Sequence, residues 1–248
     1  MRRSHDSFLK QLYQAGIADA VRLFHEDLAT HVKWATLEWV RTEIPILGEK
    51  PRKVITDLVG SAKDAEGRYL KVLVHPELQM QKHGAMGWRA LEYNAGLTLQ
   101  EGNPDVRVIT LVFYHCPGVG GIRKERFELD FYGEPTLGVS YWVVGLGDLD
   151  AEAYAGSDNP MAWALASWMK KPRHGRVTLR LGLQEKILRL VQDEPYRWLL
   201  LNTVRTYFKL NQREQAEEQE LLATRDYREV KNEMLTAFDK LRLEGHQV

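Results

Sequence analysis

The sequence predicts a mixed α/β (α+β) fold, and three stretches carry that expectation. Two apolar runs, Val54–Val59 and Tyr69–Val74, flank the charged and turn-rich segment Gly60–Arg68, the pattern of two strands and a reversing loop. Val106–Tyr114 (VRVITLVFY) is almost wholly apolar and rich in β-branched and aromatic residues, as a strand buried on both faces must be. Between them Gly84–Gln100 repeats apolar residues at helical spacing through Met86, Ala90, Tyr93 and Leu97.

Ser4 or Asp6 is placed to cap a first helix whose apolar stripe is Phe8, Leu9, Leu12, Ile17, Val21 and Phe24, with Gly16 as a possible break. Val32–Ile46 suits either a short helix or a first strand, and Pro45 and Pro51 bracket a turn after it. The loop His115–Gly121 is glycine-rich, but no Gly-Lys-Ser/Thr or G-x-G-x-x-G pattern makes it a phosphate loop. His115 and Cys116 offer two soft-metal donors without the second cysteine of a usual zinc site. Phe127–Tyr132 and Gly138–Val144 read as strands joined by a Gly-Glu-Pro turn. Helices follow from Pro160 through Trp168, over Leu179–Val191 and over Tyr196–Leu210, and their aromatic residues fall at core spacing. Gln212–Leu243 is a last, highly charged helix, whose first turns (QREQAEEQE) are polar all round and so project into solvent.

At 248 residues the chain is long enough to bury a full core. Lys+Arg and Asp+Glu both total 34, so no global basic charge advertises nucleic acid, although a local basic surface is compatible with that balance. A single cysteine excludes a disulfide framework and fits a reducing compartment. The first residues lack the apolar core of a secretory signal, and no apolar run reaches the length of a membrane span. A cytoplasmic protein with no membrane partner is expected.

The candidate chemistry lies around the predicted hairpin. Asp57 interrupts the first run, and Glu77 follows the second. Side chains alternate along a strand, so His75, Glu77 and Gln79 point the same way at intervals of about 6–7 Å. Two carboxylates converging at a sheet edge are the minimum for a divalent metal, and Glu43 is a possible third. An acid near a strand end is more often solvated or ion-paired than a ligand. Arg89 admits two readings likewise, a phosphate contact or an ion pair with Glu92 or another acid. Pro76 removes a backbone donor from the strand and calls for a bulge or a strand end.

This order of elements, helix, strand, strand with Asp57, strand with Glu77, helix, strand, resembles the core of the PD-(D/E)xK nuclease superfamily, a restriction-endonuclease-like fold. More narrowly the chain is similar to the Rpn/YhgA-like group of recombination-promoting nucleases and transposase-like proteins. The motifs are HDSFLKQL ending at Leu12, TDLVG at Thr56–Gly60, VLVHPELQMQ at Val72–Gln81, GWRALEYNAGL at Gly87–Leu97 and TVRTYFKL at Thr203–Leu210. The resemblance implies a nuclease-like core over residues 1–150, a helical extension packed on it over 151–210, and the charged helix over 211–248. It implies a Mg²⁺- or Mn²⁺-dependent DNA endonuclease linked to recombination or mobile elements, with Asp57 and Glu77 as metal ligands and catalytic acids. The Leu78 carbonyl and waters complete that expected coordination. Gln79 stands where the superfamily usually has lysine, a place where related members also tolerate glutamine. His5, Lys10, His75 and Arg89 are the implied DNA contacts. Because glutamine supplies hydrogen bonds but no charge, an inactive nucleic-acid-binding or protein-interaction module is the alternative. The charged terminal helix makes a homo-oligomer a further expectation.

Overall fold

Helix α1 (Arg2–Phe24) runs unbroken through Gly16, which falls on its buried stripe with Leu9, Leu12, Tyr13, Ile17 and Val21. Ser4 and Asp6 therefore lie inside the helix and not at its cap. The computed structural model describes residues 2–40, 43–46, 52–55 and 58–224. The chain divides into two compact units, Met1–Asp148 and Leu149–Val248.

In the first unit a short helix α2 (Glu26–Thr30) leads into β1 (Val32–Val40), so the ambiguous stretch is a strand. Strands β2 (Glu43–Ile46) and β3 (Arg52–Ile55) form a separate hairpin. Then come β4 (Val59–Asp64), β5 (Lys71–Gln79), helix α3 (Met86–Glu101), β6 (Val106–Tyr114), β7 (Ile122–Phe131) and β8 (Glu134–Gly145). The main sheet has the order β1-β4-β5-β6-β8-β7. β5, β6 and β8 are parallel, and the remaining pairs are antiparallel. Helix α3 is the crossover between β5 and β6, as a parallel pair requires. It packs Tyr93 and Leu97 on Leu73 and Val106, and Met86 and Ala90 on Val112 and Tyr141. On the opposite face Phe113 meets Tyr13 and Phe24 of α1, with ring centroids 4.7 and 6.5 Å apart.

The hairpin expected from the sequence is displaced. The run Val54–Val59 is shared between β3 and β4, which belong to different sheets, and the predicted loop Gly60–Arg68 contributes strand up to Asp64. Its small residues serve packing and not turning. β1 carries a register shift between Lys33 and Glu38, and Leu37 lies so close over Gly60 that a Cβ there would sit 2.6 Å from Leu37 Cδ1. The Thr36 hydroxyl replaces a lost ladder acceptor by taking the Lys63 N–H at 2.9 Å. The later hairpin differs as well. Its turn is Tyr132-Gly133, both with positive φ (53° and 85°), and Pro135 sits within β8 opposite Asp130. A two-residue loop in that conformation matches the strands' right-handed twist.

The second unit holds α4 (Ala151–Ala155), α5 (Pro160–Leu165), α6 (Arg176–Leu190), α7 (Glu194–Tyr207) and α8 (Gln212–Ala223). Asp150, Asn159, Asp193 and Asn211 cap four of these with side-chain oxygens, Asn211 in a reciprocal capping box with Glu214. Met161, Trp163, Leu181, Ile187, Leu200, Val204 and Phe208 form its interior. Helix α8 does not simply project: Glu218 and Leu222 turn inward, and Glu214 and Glu218 pair with Arg176 and Arg180 of α6 at 3.0 and 3.4 Å. The rest of the expected terminal helix, from residue 225, lies outside the described residues. No helix among the described residues is long and apolar enough to cross a membrane.

Two glycines should respond to alanine in opposite ways. A Cβ on Gly87 would meet Phe127 Cδ2 and Cβ at 2.6 and 2.8 Å, whereas one on Gly182 within α6 meets nothing within 4 Å. Gly87→Ala should lower stability by about 1–3 kcal/mol, and Gly182→Ala should raise it by about 0.5–1 kcal/mol. Urea denaturation of the two variants reads both signs.

Candidate active site on the α3 face of β5

Among the described residues strand β5 pairs with β4 from Val72 to Val74, opposite Ala62 to Gly60, and it follows β6 without a register shift as far as Gln79. The Gln79 carbonyl accepts the His115 N–H at 2.8 Å, on the β6 side. By alternation His75 and Glu77 aim their backbone groups the same way, whereas Pro76 and Leu78 aim theirs away from β6. Proline's missing donor thus takes no hydrogen bond from the β6 ladder, and β5 carries no register shift against β6.

The side chains of His75, Glu77 and Gln79 share the α3 face, as alternation requires. Glu77 is buried, 4 % exposed. Its Oε1 accepts from Arg89 at 2.6 Å and from the Gln79 amide at 2.6 Å. The same Arg89 nitrogen donates to the Tyr93 hydroxyl at 2.8 Å, and the Tyr93 ring meets His75 edge-on with centroids 4.6 Å apart. Five residues on one strand and one helix thus form a continuous polar cluster. Arg89 and Tyr93 meet because residues four apart share a helix face. That spacing was the available signal for Tyr93, whose place in the apolar repeat with Met86, Ala90 and Leu97 gave it no role in the site.

His75 has no exposure. Burial, and secondarily the charge of Arg89, pushes its pKa down to about 3, so the ring is neutral at pH 7. Its 3.7 Å approach to Glu77 Oε2 is accordingly not an ion pair, and both ring nitrogens are buried without a hydrogen-bond partner among the described residues. Direct contact with DNA does not fit that burial: His75 supports Glu77 and Tyr93 from beneath. Arg89 is the more open partner, its side chain 30 % exposed. Its partner is Glu77; Glu92 instead accepts from Trp88 Nε1 at 2.9 Å.

The remaining expected site residues are placed differently. Asp57 lies outside the described residues, as do the side chains of His5 and Glu43. Lys10 is half-buried on α1, in the layer across the sheet from α3. Among the described residues no three His, Cys, Asp or Glu side chains are grouped to hold a metal. His115 turns toward α1, its Nε2 3.1 Å from the Tyr13 hydroxyl, while Cys116 packs with the cluster on the α3 face. The two do not form a metal pair. The glycine loop beside them cradles a carboxylate of the chain itself: Asp148 accepts the N–H groups of Gly118, Val119 and Gly120 at 3.0, 2.7 and 2.7 Å.

Truncating Arg89 should leave Glu77 buried beside an uncharged neighbour. Arg89→Ala should cost about 2–3 kcal/mol, and adding Glu77→Gln should recover most of it; denaturation of both single variants and the double variant measures the coupling. A pH dependence follows from His75 and His115, the latter held down to about 4 chiefly by burial. Above about pH 6.5 neither the folded nor the unfolded chain protonates these rings. As pH falls through 6.5 only the unfolded chain takes up protons, so stability is lost toward pH 4. The urea midpoint should fall over that window, and His115→Asn should flatten the dependence. Neither protein-family models, curated proteins nor solved structures give a match to this chain.

Proposed function

We propose that the chain is a metal-dependent DNA endonuclease of the PD-(D/E)xK type, akin to the Rpn/YhgA-like group. The observation that carries this reading is the gathering of Glu77, Gln79 and Arg89 at the end of β5 beneath α3. The succession α1, β1, β4, β5, α3, β6, with the β2–β3 hairpin inserted, supports it at the level of the fold.

The donor chemistry fits a hard divalent ion. Glu77 offers carboxylate oxygens, the Leu78 carbonyl faces away from β6, and His75 Nε2 is a buried nitrogen without a hydrogen-bond partner among the described residues. An oxygen-dominated set of this kind suits Mg²⁺ or Mn²⁺. Glu77 and Asp57 would hold the ion. When bound, it supplies an acidified water and a polarised phosphate oxygen. Gln79 orients that water or the phosphate through its amide, without charge. Arg89 presents a guanidinium fork that matches a phosphodiester oxygen pair as well as it matches Glu77. His75, neutral and enclosed, fixes the Tyr93 ring and through it the Arg89 head group.

The same Arg89–Glu77 contact favours a second reading. It already neutralises the carboxylate, and Gln79 stands in the lysine position, which is what a catalytically weak nuclease fold retained for nucleic-acid or protein binding would show.

The test is nicking of supercoiled plasmid with Mg²⁺, Mn²⁺ or EDTA by the wild type, Asp57→Ala and Glu77→Ala. The expected result is metal-dependent nicking reduced at least about 100-fold in both variants. Nicking that survives both substitutions would sink the site assignment. Retention of the plasmid in a gel without cleavage by any metal would establish the binding module instead.

A further inference from the structure

Strand β7 closes one side of the main sheet and is ten residues long, with β8 its one neighbour among the described residues. An outer strand presents unpaired N–H and C=O groups, and proteins commonly blunt such an edge with a proline or a bulge. β7 contains no proline, and the register shift of its hairpin leaves the extra residue, Thr136, on β8. Its outward side chains are charged instead, and the charges are ordered. Lys124 and Arg126 come first, Glu128 and Asp130 after them, and all four residues are exposed. A strand of one sign would repel a copy of itself; this one is complementary to its own reverse.

The hydrogen-bond pattern decides which residues an added strand meets. The Gly145 N–H donates to the Gly121 carbonyl at 2.8 Å, so by alternation residues 123, 125, 127 and 129 turn their backbone groups toward β8. Residues 122, 124, 126 and 128 turn theirs to the open edge. A second β7 laid antiparallel on this edge therefore pairs even-numbered residues with even-numbered ones, and the two-fold axis falls on a residue. An axis at Arg126 sets arginine against arginine, and one at Glu128 sets glutamate against glutamate. An axis at Phe127 sets Arg126 against Glu128 and Lys124 against Asp130, each twice by symmetry. Arg126 already meets Glu128 of its own strand at 2.5 Å, with 67 % of the arginine side chain exposed. Across the axis each guanidinium gains a second carboxylate.

The exposed apolar residues select the same axis. Ile122 is 39 % exposed at one end of β7, and Phe131 and Tyr132 are 69 % and 92 % exposed at the other. With the axis at Phe127, Ile122 of one copy lies beside Tyr132 of the other and Arg123 beside Phe131, so both ends lose exposed apolar surface.

We propose that two copies of this chain associate by antiparallel pairing of β7 with β7 about a two-fold axis at Phe127, joining two six-stranded sheets into one. The surface is separate from the charged terminal helix and does not depend on the chemistry at Glu77. An edge contact of this kind sits at the small end of protein interfaces, so the dimer belongs to the micromolar range.

The test is sedimentation equilibrium of the full chain over about 1–100 μM, with Arg126→Glu, Glu128→Arg and the variant carrying both. The wild type should reach twice the chain mass within that range. Each single reversal puts two like-charged pairs across the axis and should weaken the dimer at least about tenfold, with thermal stability retained because both positions are exposed. The doubly substituted chain should dimerise as the wild type does. An equimolar mixture of the two single variants should form a mixed dimer, since the carboxylates of one then face the guanidinium groups of the other. A wild type that stays monomeric at about 100 μM overturns the proposal. So does a dimer that both single reversals leave unchanged, or a mixture that does not associate.

Discussion

The burial of the Glu77 carboxylate beneath α3 is the constraint on which the candidate site depends. Strand β5 carries it there by staying in register with β6 as far as Gln79. Pro76 is compatible with that ladder because its backbone faces away from β6, which loses no donor. A strand ending at Val74 would leave Glu77 in solvent.

Burying that carboxylate sets the second requirement. An isolated ionised acid in a packed interior is costly, and the chain meets the cost with two donors to one oxygen, the Arg89 guanidinium and the Gln79 amide. Tyr93 ties the arginine to the helix, and His75 stays neutral so that no third charge enters the cluster. The arrangement preorganises an acid and a cation within hydrogen-bond distance, while the partly exposed arginine keeps one route open to solvent.

The second unit handles charge by a different device. Its α6 and α8 carry arginine and glutamate at matching four-residue intervals, so two polar surfaces pack as ion-paired rungs. This is why the polar opening turns of α8 are not a free solvent-exposed helix: glutamates that read as solubilising in sequence are half of an interface.

The amino-acid sequence by itself determined the elements with strong periodicity. Helix α3, strand β6 and helices α5, α6 and α7 lie within a few residues of where their apolar spacing puts them, because burial of one face fixes both period and length. It also placed His75, Glu77 and Gln79 on one face, since strand alternation is a local property. Only the tertiary structure decided which strands pair. Gly60 and Ser61 read as turn formers, but they are strand residues, and Gly60 is kept small by the overlying Leu37 of a bulged β1. The choice of Glu77 over Glu92 as the partner of Arg89, and the enclosure of His75, were likewise undetermined in sequence. Both depend on how α3 lies across β5, a relation between residues distant in the chain that no local pattern encodes.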